Sequence, residues 1–446
     1  MVLLRGGRAR VITFQKKNSV MNKQGLFTII IFLGLITSCT KDDESLISTS
    51  SPITTSTPTV TTPPVSSSAD NESTPCENGM AGIYPCNGFD FLSRISLEQF
   101  NSQSGNDNWG WTDPETGIEY VLNGLNDGTG FVSIEDPEKP IYLGKLPTAT
   151  SPSSWRDIKV YKNHAFVVSE AANHGLQIFD LTRLRGLTEP QNFTADTTLK
   201  DFDNAHNIAI NEETGFAYVV GTNLYQGGPV FIDINDPKNP VIVGGFEIAS
   251  YTHDAQIVLY QGPDQNYQGR ELLFGSNSDG GANNKVVIVD VTDKENPEWI
   301  QTISYENGGY THQGYLSQDH RYFLLGDELD EINYGSPTLT RIFDLTDLSS
   351  PKFHLNYYAE VNAIDHNGYS KGDQFFIASY TAGLRVLDLS QIEEKQVEEI
   401  GFFDSYPSDN STKFAGAWNV YPYFESGVIA INDIESGLIL VKASEN

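Results

Sequence analysis

The chain has 446 residues, of which 39% are hydrophobic and 11% aromatic, so it can bury a sizeable core and is not disordered throughout. Its formal charge of -30 argues against nucleic acid as a partner, because an acidic surface repels phosphate backbones. The three cysteines form no Cys-x-x-Cys pair, which excludes a thiolate zinc site. One disulfide between Cys76 and Cys86 in an oxidising compartment fits this cysteine content.

The chain begins with the features of an export signal. An apolar run at 26–36, LFTIIIFLGLI, follows Lys23 and is too short to span a hydrocarbon core of ~30 Å. This pattern is typical of a signal peptide that starts most naturally at Met21. Residues 1–20 then reflect either a start codon assigned too early or an unusually long basic leader. We assign residues 1–38 to the signal peptide.

The signal ends in Ile-Thr-Ser-Cys, which resembles a bacterial lipobox, so we expect a diacylglycerol on Cys39 that attaches the protein to the outer membrane. A stray cysteine at an ordinary cleavage site is the alternative. Lys41 and the three acidic residues after it resemble the surface-export signal of lipoproteins in one large group of Gram-negative bacteria, which favours surface display over a periplasmic location. Residues 39–75, rich in Ser, Thr and Pro, are predicted to form a disordered tether before the folded part at 76–446.

Similar units repeat along the folded part. The runs FIDINDP (231–237), VIVDVTD (287–293) and RIFDLTD (341–347) each predict a strand that enters a turn. Each unit begins with an opener that carries Trp or His, at intervals of roughly 50 residues, the length of a four-stranded propeller blade. The openers are Trp109–Trp111, Trp155–Asp157, Asn204–Asn207, Tyr251–Asp254, Tyr310–Gln313, Ile364–Asn367 and Ala417–Asn419. Seven openers predict an all-β protein with a single seven-bladed β-propeller.

The ends of the repeat region predict how the propeller closes. The last unit lacks an outer strand, and the segment Phe89–Ile95 resembles the outer strands of the other units. We expect this N-terminal strand to complete the last blade, which would remove the open sheet edges that invite aggregation. Two β-sandwiches are the alternative fold, and the regular spacing of the openers argues against them.

These motifs resemble the choice-of-anchor B family of bacterial surface proteins. The similarity lies in WRDIKV (155–160), YTHDAQ (251–256), YTHQGYL (310–316) and AIDHN (363–367), and VVIVD (286–290) resembles the LVIVD repeat. It covers nearly all of the predicted folded part. The resemblance implies a propeller and a surface location, with the lipid as the anchor in this chain. It implies no agreed activity, so no catalytic residue is carried over.

Histidine recurs at one position of four successive openers, at His206, His253, His312 and His366. Equivalent positions on the innermost strands of a propeller approach one another around the central channel, so we expect a polar ring there. The other channel or binding candidates beside these histidines are Trp155, Arg156, Asn207, Asp254, Gln313, Asp365 and Trp418. The histidines could bond to the backbone of neighbouring blades, form a polar ligand channel, or bind a divalent transition metal.

An acidic segment gives a second candidate for metal binding. Asp327, Glu328 and Asp330, followed by Glu331, place carboxylates close together on a predicted loop, where they could bind Ca²⁺. A solvated acidic loop is the alternative.

No motif of a known catalytic class appears: there is no Gly-x-Ser-x-Gly elbow, no His-Glu-x-x-His and no phosphate-binding glycine loop. The sequence therefore favours a binding module for an extracellular glycan, peptide or partner protein. The alternative is a metal-dependent hydrolase, lyase or oxidoreductase that uses the histidine ring. Convergence of the imidazoles on one point would favour the enzyme, whereas a bond from each imidazole to the next blade's backbone would favour the binding module.

Overall fold

We analysed a computed structural model, which describes residues 72–247, 251–278 and 283–445. The predicted signal peptide, the lipidation of Cys39 and nearly all of the tether lie outside these residues. None of the helices within them is long and apolar enough to span a membrane.

Seven sheets follow one another along the chain, which confirms the all-β, seven-bladed propeller. In chain order the strands are β1 Met80–Ala81, β2 Tyr84–Asn87, β3 Phe89–Ile95, β4 Gly105–Thr112, β5 Glu119–Leu125, β6 Gly128–Ser133, β7 Ile141–Pro147, β8 Arg156–Tyr161, β9 His164–Ser169, β10 Leu176–Asp180, β11 Gln191–Asn192, β12 Thr197–Leu199, β13 Asn207–Asn211, β14 Phe216–Val220, β15 Val230–Asp233, β16 Val241–Gly245, β17 Thr252–Leu259, β18 Glu271–Asn277, β19 Lys285–Asp290, β20 Glu298–Ile303, β21 Thr311–Leu316, β22 Tyr322–Asp327, β23 Leu339–Asp344, β24 Lys352–Tyr358, β25 Gly368–Lys371, β26 Gln374–Ser379, β27 Gly383–Asp388, β28 Glu398–Phe403, β29 Ala417–Tyr421, β30 Val428–Asp433 and β31 Gly437–Ala443. The helical elements are the 3₁₀ turns Leu181–Leu184 and Tyr225–Gly227 and the short helix α1, Asp330–Tyr334.

The blades follow the chain from the inside of the propeller outward. Blade 1 is β4–β7, blade 2 is β8–β10 with β12, blade 3 is β13–β16, blade 4 is β17–β20, blade 5 is β21–β24, blade 6 is β25–β28, and blade 7 is β29–β31 with β3. Two additions were not expected from the sequence. The β1–β2 hairpin extends the outer edge of blade 6, and β11 pairs in parallel with β7 of blade 1.

The repeated aspartate ends the third strand of a blade for a local reason. The side chains of Asp233, Asp290, Asp344 and Asp388 accept hydrogen bonds, 2.8–3.0 Å long, from the backbone N–H two residues further on. This contact closes a turn that mimics a backbone β-turn, so the chain reverses into the outer strand. The apolar run before each aspartate is buried on both faces between neighbouring blades.

The hydrophobic core lies between the blades. Phe131 of blade 1 stacks on Phe179 of blade 2 with ring centroids 4.7 Å apart, and Phe274 of blade 4 packs on Phe323 of blade 5 at 5.7 Å. All four side chains are fully buried. Each blade therefore shares its core with two neighbours, including blade 7 with blade 1 across the closure.

The closure is the one predicted from the sequence. Strand β3 is the outermost strand of blade 7 and pairs antiparallel with β31, from Phe89 opposite Ala443 to Ile95 opposite Leu438. The two ends of the propeller therefore share one sheet, and the outer edge of blade 7 is covered.

The predicted disulfide between Cys76 and Cys86 is confirmed, with the two Cα atoms 6.0 Å apart. It ties the start of the domain to β2, whose Cys86 lies opposite Phe403 in the outer strand of blade 6. Behind it, the buried ring of Tyr84 packs on that of Phe403 with centroids 5.1 Å apart. The disulfide thus fixes the hairpin that covers the outer face of blade 6.

Replacing Cys76 and Cys86 together by serine is expected to lower the free energy of unfolding by about 2–3 kcal/mol, because a crosslink that closes a short loop restricts the unfolded chain. Chemical denaturation measures this difference. The wild type in a reducing agent serves as the control and should match the double variant. A change below about 0.5 kcal/mol would show that the crosslink contributes nothing to stability.

Candidate functional site

Two stacked rings of equivalent side chains lie where the first strands of the blades begin, and all of them except Asn106 and Asn419 line the central channel. From blade 1 to blade 7 the upper ring is Asn106, Arg156, His206, His253, His312, His366 and Trp418, and the lower ring is Asp107, Asp157, Asn207, Asp254, Gln313, Asn367 and Asn419. Contacts between blades establish the equivalence of these positions. For example, Asp107 accepts from the backbone N–H of Ile158, and Asp157 accepts in the same way from Ile208.

The prediction of which residues of blade 1 begin the repeat was wrong. The ring residues of blade 1 are Asn106 and Asp107, not Trp109 to Trp111. The register shift at this point of β4 also occurs in blades 4, 5 and 7, but blade 1 has Asn106 where those blades have His or Trp, and its tryptophans come later in the strand. Trp109 lines the other half of the channel, and Trp111 is buried between blades 1 and 2.

The histidines of the upper ring stand side by side. Successive ring centroids are 4.0 Å apart from His206 to His253, 4.3 Å from His253 to His312, and 4.3 Å from His312 to His366. The Nδ1 atoms of His253, His312 and His366 contact the backbone carbonyl oxygens of His312, His366 and Trp418 at 3.0, 3.2 and 2.5 Å. Three imidazoles are therefore locked to the next blade.

These bonds fix the state of each imidazole. A carbonyl oxygen only accepts, so Nδ1 carries the proton in His253, His312 and His366, and Nε2 keeps a free lone pair. Burial and the neighbouring imidazoles hold the pKa of His253 and His312 well below the usual value, and burial lowers the pKa of His366 to about 3. At neutral pH the ring therefore offers uncharged Nε2 acceptors.

His206 differs from the other three histidines. Its Nδ1 lies 2.6 Å from Glu170 Oε1, so a carboxylate takes the place of the backbone carbonyl. Nδ1 donates here too, so the same ring nitrogen is engaged as in the other three histidines.

Glu328 brings a carboxylate into the ring from blade 5. Its Oε1 lies 3.7 Å from the Nε2 of His312 and 3.7 Å from the Nε2 of His366. The hydroxyl of Tyr380 donates to the same oxygen at 2.9 Å. Burial raises the pKa of Glu328 to about 7. We call His312, Glu328 and His366 the triad; one ligand atom from each lies within 4.8 Å of the others.

The acidic segment was predicted to form one calcium-binding loop, but its carboxylates have three different surroundings. The Asp327 carboxylate accepts hydrogen bonds from the backbone N–H groups of Gly309 and Tyr310, so it is already engaged in that turn. Glu328 turns to the histidines, while Asp330 begins helix α1 and is buried away from them. The three carboxylates are not brought together, because β22 ends at Asp327 and the chain then curls into a helix instead of an open loop.

The other residues that were predicted to line the channel do not all join the ring. Trp155 is 48% exposed beside the channel mouth, and the Trp418 ring lies 4.9 Å from that of His366. Arg156 is buried, with its Nε donating to the carbonyl oxygen of Leu125. Asp365 does not join the ring, because it stands one position before His366, where the neighbouring blade has Thr311.

The side chains of the lower ring have a structural role, because they are engaged in hydrogen bonds to the backbone. Asn207 and Asp254 each accept from the N–H of the following residue, and Gln313 exchanges two hydrogen bonds with the backbone of Gly368 in blade 6. Burial raises the pKa of Asp254 to about 7. Beneath this ring, the buried Lys159 ammonium lies 2.6 Å from Asp157.

The contacts of Glu170 and Tyr380 with the ring were not predicted from the sequence. Both residues follow directly after the second strand of their blade, as Glu328 does after β22. In an antiparallel blade this end of the second strand lies beside the start of the first, where the ring residues are. The position after the second strand is thus the signal that could have identified these partners.

The upper ring encloses a small space. A cavity of about 20 Å³ lies among the imidazoles of the ring, Trp155 and Trp418. This volume suits a single water molecule or ion, since one probe-sized occupant needs about 10–15 Å³.

No family model matches the chain, and no curated protein matches it in sequence. The resemblance to choice-of-anchor B proteins therefore stays a prediction. Among solved structures, hydrazine synthase of Kuenenia stuttgartiensis matches with a TM-score of 0.54 at 12% identity, over 75% of this chain and 95% of that one. The β-propeller domain of Cps50 (Swd1) from Myceliophteria thermophila matches with a TM-score of 0.52 at 11% identity, over 81% of this chain and 100% of that one. At such low identity these similarities show the fold alone: the chain is a β-propeller protein.

Proposed function

We propose that this protein is a lipid-anchored propeller, displayed on the cell surface, that binds its ligand through a divalent transition-metal ion held by the triad. The single observation that supports the metal is the meeting of three acceptors. The Oε1 of Glu328 lies 3.7 Å from the Nε2 of His312 and 3.7 Å from the Nε2 of His366, and one ligand atom of each residue lies within 4.8 Å of the others. Acceptors that face one another in a buried site repel unless a proton or a cation lies between them.

The donor set and its spacing suit such an ion. Imidazole nitrogen together with carboxylate oxygen favours Zn, Fe, Mn, Ni or Cu. Ligands about 2.1 Å from a tetrahedral ion lie about 3.4 Å apart, so the two contacts of 3.7 Å between Glu328 and the imidazoles need to tighten by only a few tenths of an ångström. The other pairs of ligand atoms in the triad lie within 4.8 Å, close enough to reach the same ion after a small adjustment. His253 and His206 stand next in the ring but fall outside the triad, so a site of four imidazoles around one point is not proposed.

The bonds behind the triad are those that orient metal ligands. In metal sites a ligating imidazole commonly donates its other N–H to a carbonyl or carboxylate, which fixes the ring and its tautomer. His312 and His366 donate in this way to the backbone of the next blade, and Tyr380 positions Glu328. One nitrogen of each imidazole can therefore lock the propeller while the other binds a ligand.

A triad leaves coordination positions open for an external group. The exposed Trp155 and the half-exposed Phe414, whose ring lies 5.5 Å from that of Tyr380, are apolar surfaces near the mouth. A glycan, peptide or partner protein that offers a carboxylate or hydroxyl to the ion fits this arrangement. The lipid on Cys39 and the acidic signal after Lys41 are the basis for anchoring and display.

A metal-dependent enzyme is the second candidate function. The observation that favours it is the donor set itself, since two histidines and one carboxylate with open positions also serve enzymes that activate a bound small molecule. Product formation from a candidate substrate, lost in the same variants that lose the metal, would distinguish catalysis from binding.

The variant Glu328→Gln tests the proposal. It removes the carboxylate charge but keeps the shape, so we expect purified protein to bind Zn²⁺ or Co²⁺ at least tenfold more weakly than the wild type, by calorimetry and elemental analysis. The exposed Glu425→Gln is the matched control and should bind as the wild type does. Wild-type protein that binds neither ion, or a Glu328→Gln variant with unchanged affinity, would contradict the proposal.

A further inference from the structure

We infer that Asp330, Glu331 and Asp365 form a second cation site, made only of oxygens and suited to Ca²⁺. This site is separate from the triad and does not depend on the proposed function. Its residues are neighbours of the triad in the chain: helix α1 follows Glu328, and Asp365 precedes His366.

The three carboxylates form a buried cluster. One oxygen of each lies within 4.8 Å of the others. Asp330 is 1% exposed, and Glu331 and Asp365 are each 3% exposed. Carboxylates this deeply buried are rare unless they are paired or bind a metal.

Most of these oxygens have no donor from outside the cluster. Within the part of the chain that the structure describes, no residue beyond the cluster donates a hydrogen bond to Glu331 or to Oδ1 of Asp365, while the Asp330 and Glu331 side chains lie within reach of each other. The nearest positive charge is Arg341, whose Nη1 lies 2.7 Å from Asp330 Oδ2. One guanidinium thus faces three carboxylates.

The charge balance points to a divalent ion. Three ionised carboxylates and one guanidinium leave two negative charges, and burying unpaired charge costs several kcal/mol. Burial, together with the neighbouring carboxylates, raises the pKa of Glu331 to about 11, as expected where positive charge is short. A bound divalent cation would balance the cluster with all three groups ionised.

The chemistry of the donors selects the ion. Oxygen-only sites take hard cations, and Ca²⁺ binds oxygens at 2.3–2.6 Å, so two of its ligands can be up to about 5 Å apart. The observed limit of 4.8 Å falls within this range. A cleft of about 550 Å³ between blades 4 and 5, lined by Asp330, Arg341 and the exposed Tyr334, gives a route for the ion.

Thermal unfolding in Ca²⁺ and in chelator tests the site, with Tb³⁺ luminescence as a second measurement. We expect millimolar Ca²⁺ to raise the melting temperature of the wild type by about 5 °C over chelator. The variant Glu331→Gln should lose this shift and the Tb³⁺ signal. In chelator it should be about as stable as the wild type, since a pKa of about 11 keeps Glu331 uncharged at neutral pH without the ion, and Gln is an uncharged group of the same shape. Asp365→Asn is the second variant, in case Glu331→Gln fails to fold.

The controls separate this site from the triad. The exposed Glu360→Gln and the triad variant Glu328→Gln should both keep the full Ca²⁺ shift. Equal melting temperatures of the wild type in Ca²⁺ and chelator, without Tb³⁺ binding, would overturn the inference. It would also fail if Glu331→Gln kept the shift, or if Glu328→Gln alone lost it, because the ion would then lie with the histidines.

Discussion

Replacing either His312 or His366 with alanine is expected to weaken Zn²⁺ or Co²⁺ binding by more than about 100-fold, and replacing both should abolish it. Loss of an outer-shell partner alone costs metal sites about 10–100-fold in affinity, so loss of a direct ligand should cost more. Each of these imidazoles also donates from Nδ1 to the next blade, so some loss of stability is expected as well. Calorimetry on folded protein, checked by circular dichroism, measures the affinity.

Two other histidines provide the controls. His320 lies outside the channel, where its Nδ1 accepts from the backbone N–H of Gln261, and its φ of 57° suits asparagine. His320→Asn should leave the affinity unchanged. His206→Ala, which removes a ring member outside the triad, should weaken binding by about tenfold or less. If His206→Ala had the largest effect, the ion would be held by another part of the ring.

The second large effect is expected from Lys159→Met. The Lys159 ammonium is buried 2.6 Å from Asp157 and 3.9 Å from Asp107, and it lies 4.5 Å from the centroid of the Trp109 ring. Burial alone would lower its pKa, but the carboxylates of Asp157 and Asp107 outweigh burial and raise it. Removing this charge leaves buried carboxylates unpaired, which should lower the free energy of unfolding by about 3–5 kcal/mol.

Chemical denaturation at pH 7 measures this loss. Lys139→Met is the control, because the Lys139 side chain is 83% exposed and its removal should change stability by less than about 0.5 kcal/mol. The difference in unfolding free energy between Lys159→Met and the wild type should become smaller as the pH falls, since the unpaired carboxylates then take up protons. A Lys159→Met variant within about 1 kcal/mol of the wild type at pH 7 would show that the lysine does not hold the channel together.

The repeat architecture could be predicted because its signals are local. The aspartate that closes each turn, the apolar third strands and the opener with Trp or His recur within single blades. The closing strand Phe89–Ile95 was recognisable because it shares the pattern of the other outer strands. The alignment failed in blade 1 because Asn106 stands at the ring position where blades 3 to 7 carry His or Trp, while the tryptophans that resemble the opener pattern follow later in β4.

The position after the second strand marks the ring partners in the sequence, but their contacts could not be predicted, because these contacts depend on distances between blades. Glu328 reaches the histidines, and Asp365 faces Asp330 and Glu331, only because the chain curls into α1 after β22. Nothing in the local sequence specifies that path. The sequence also posed two alternatives, imidazoles bonded to the next blade or imidazoles facing a ligand. The structure satisfies the first through Nδ1 and leaves Nε2 available for the second.

The central claim is that His312, Glu328 and His366 hold one transition-metal ion at the channel mouth. Anomalous diffraction at the zinc edge, from crystals of protein loaded with Zn²⁺, tests it most directly. We expect one strong peak about 2.0–2.2 Å from both Nε2 atoms and from a Glu328 oxygen. A channel mouth without a peak, while zinc binds elsewhere on the protein, would contradict the claim.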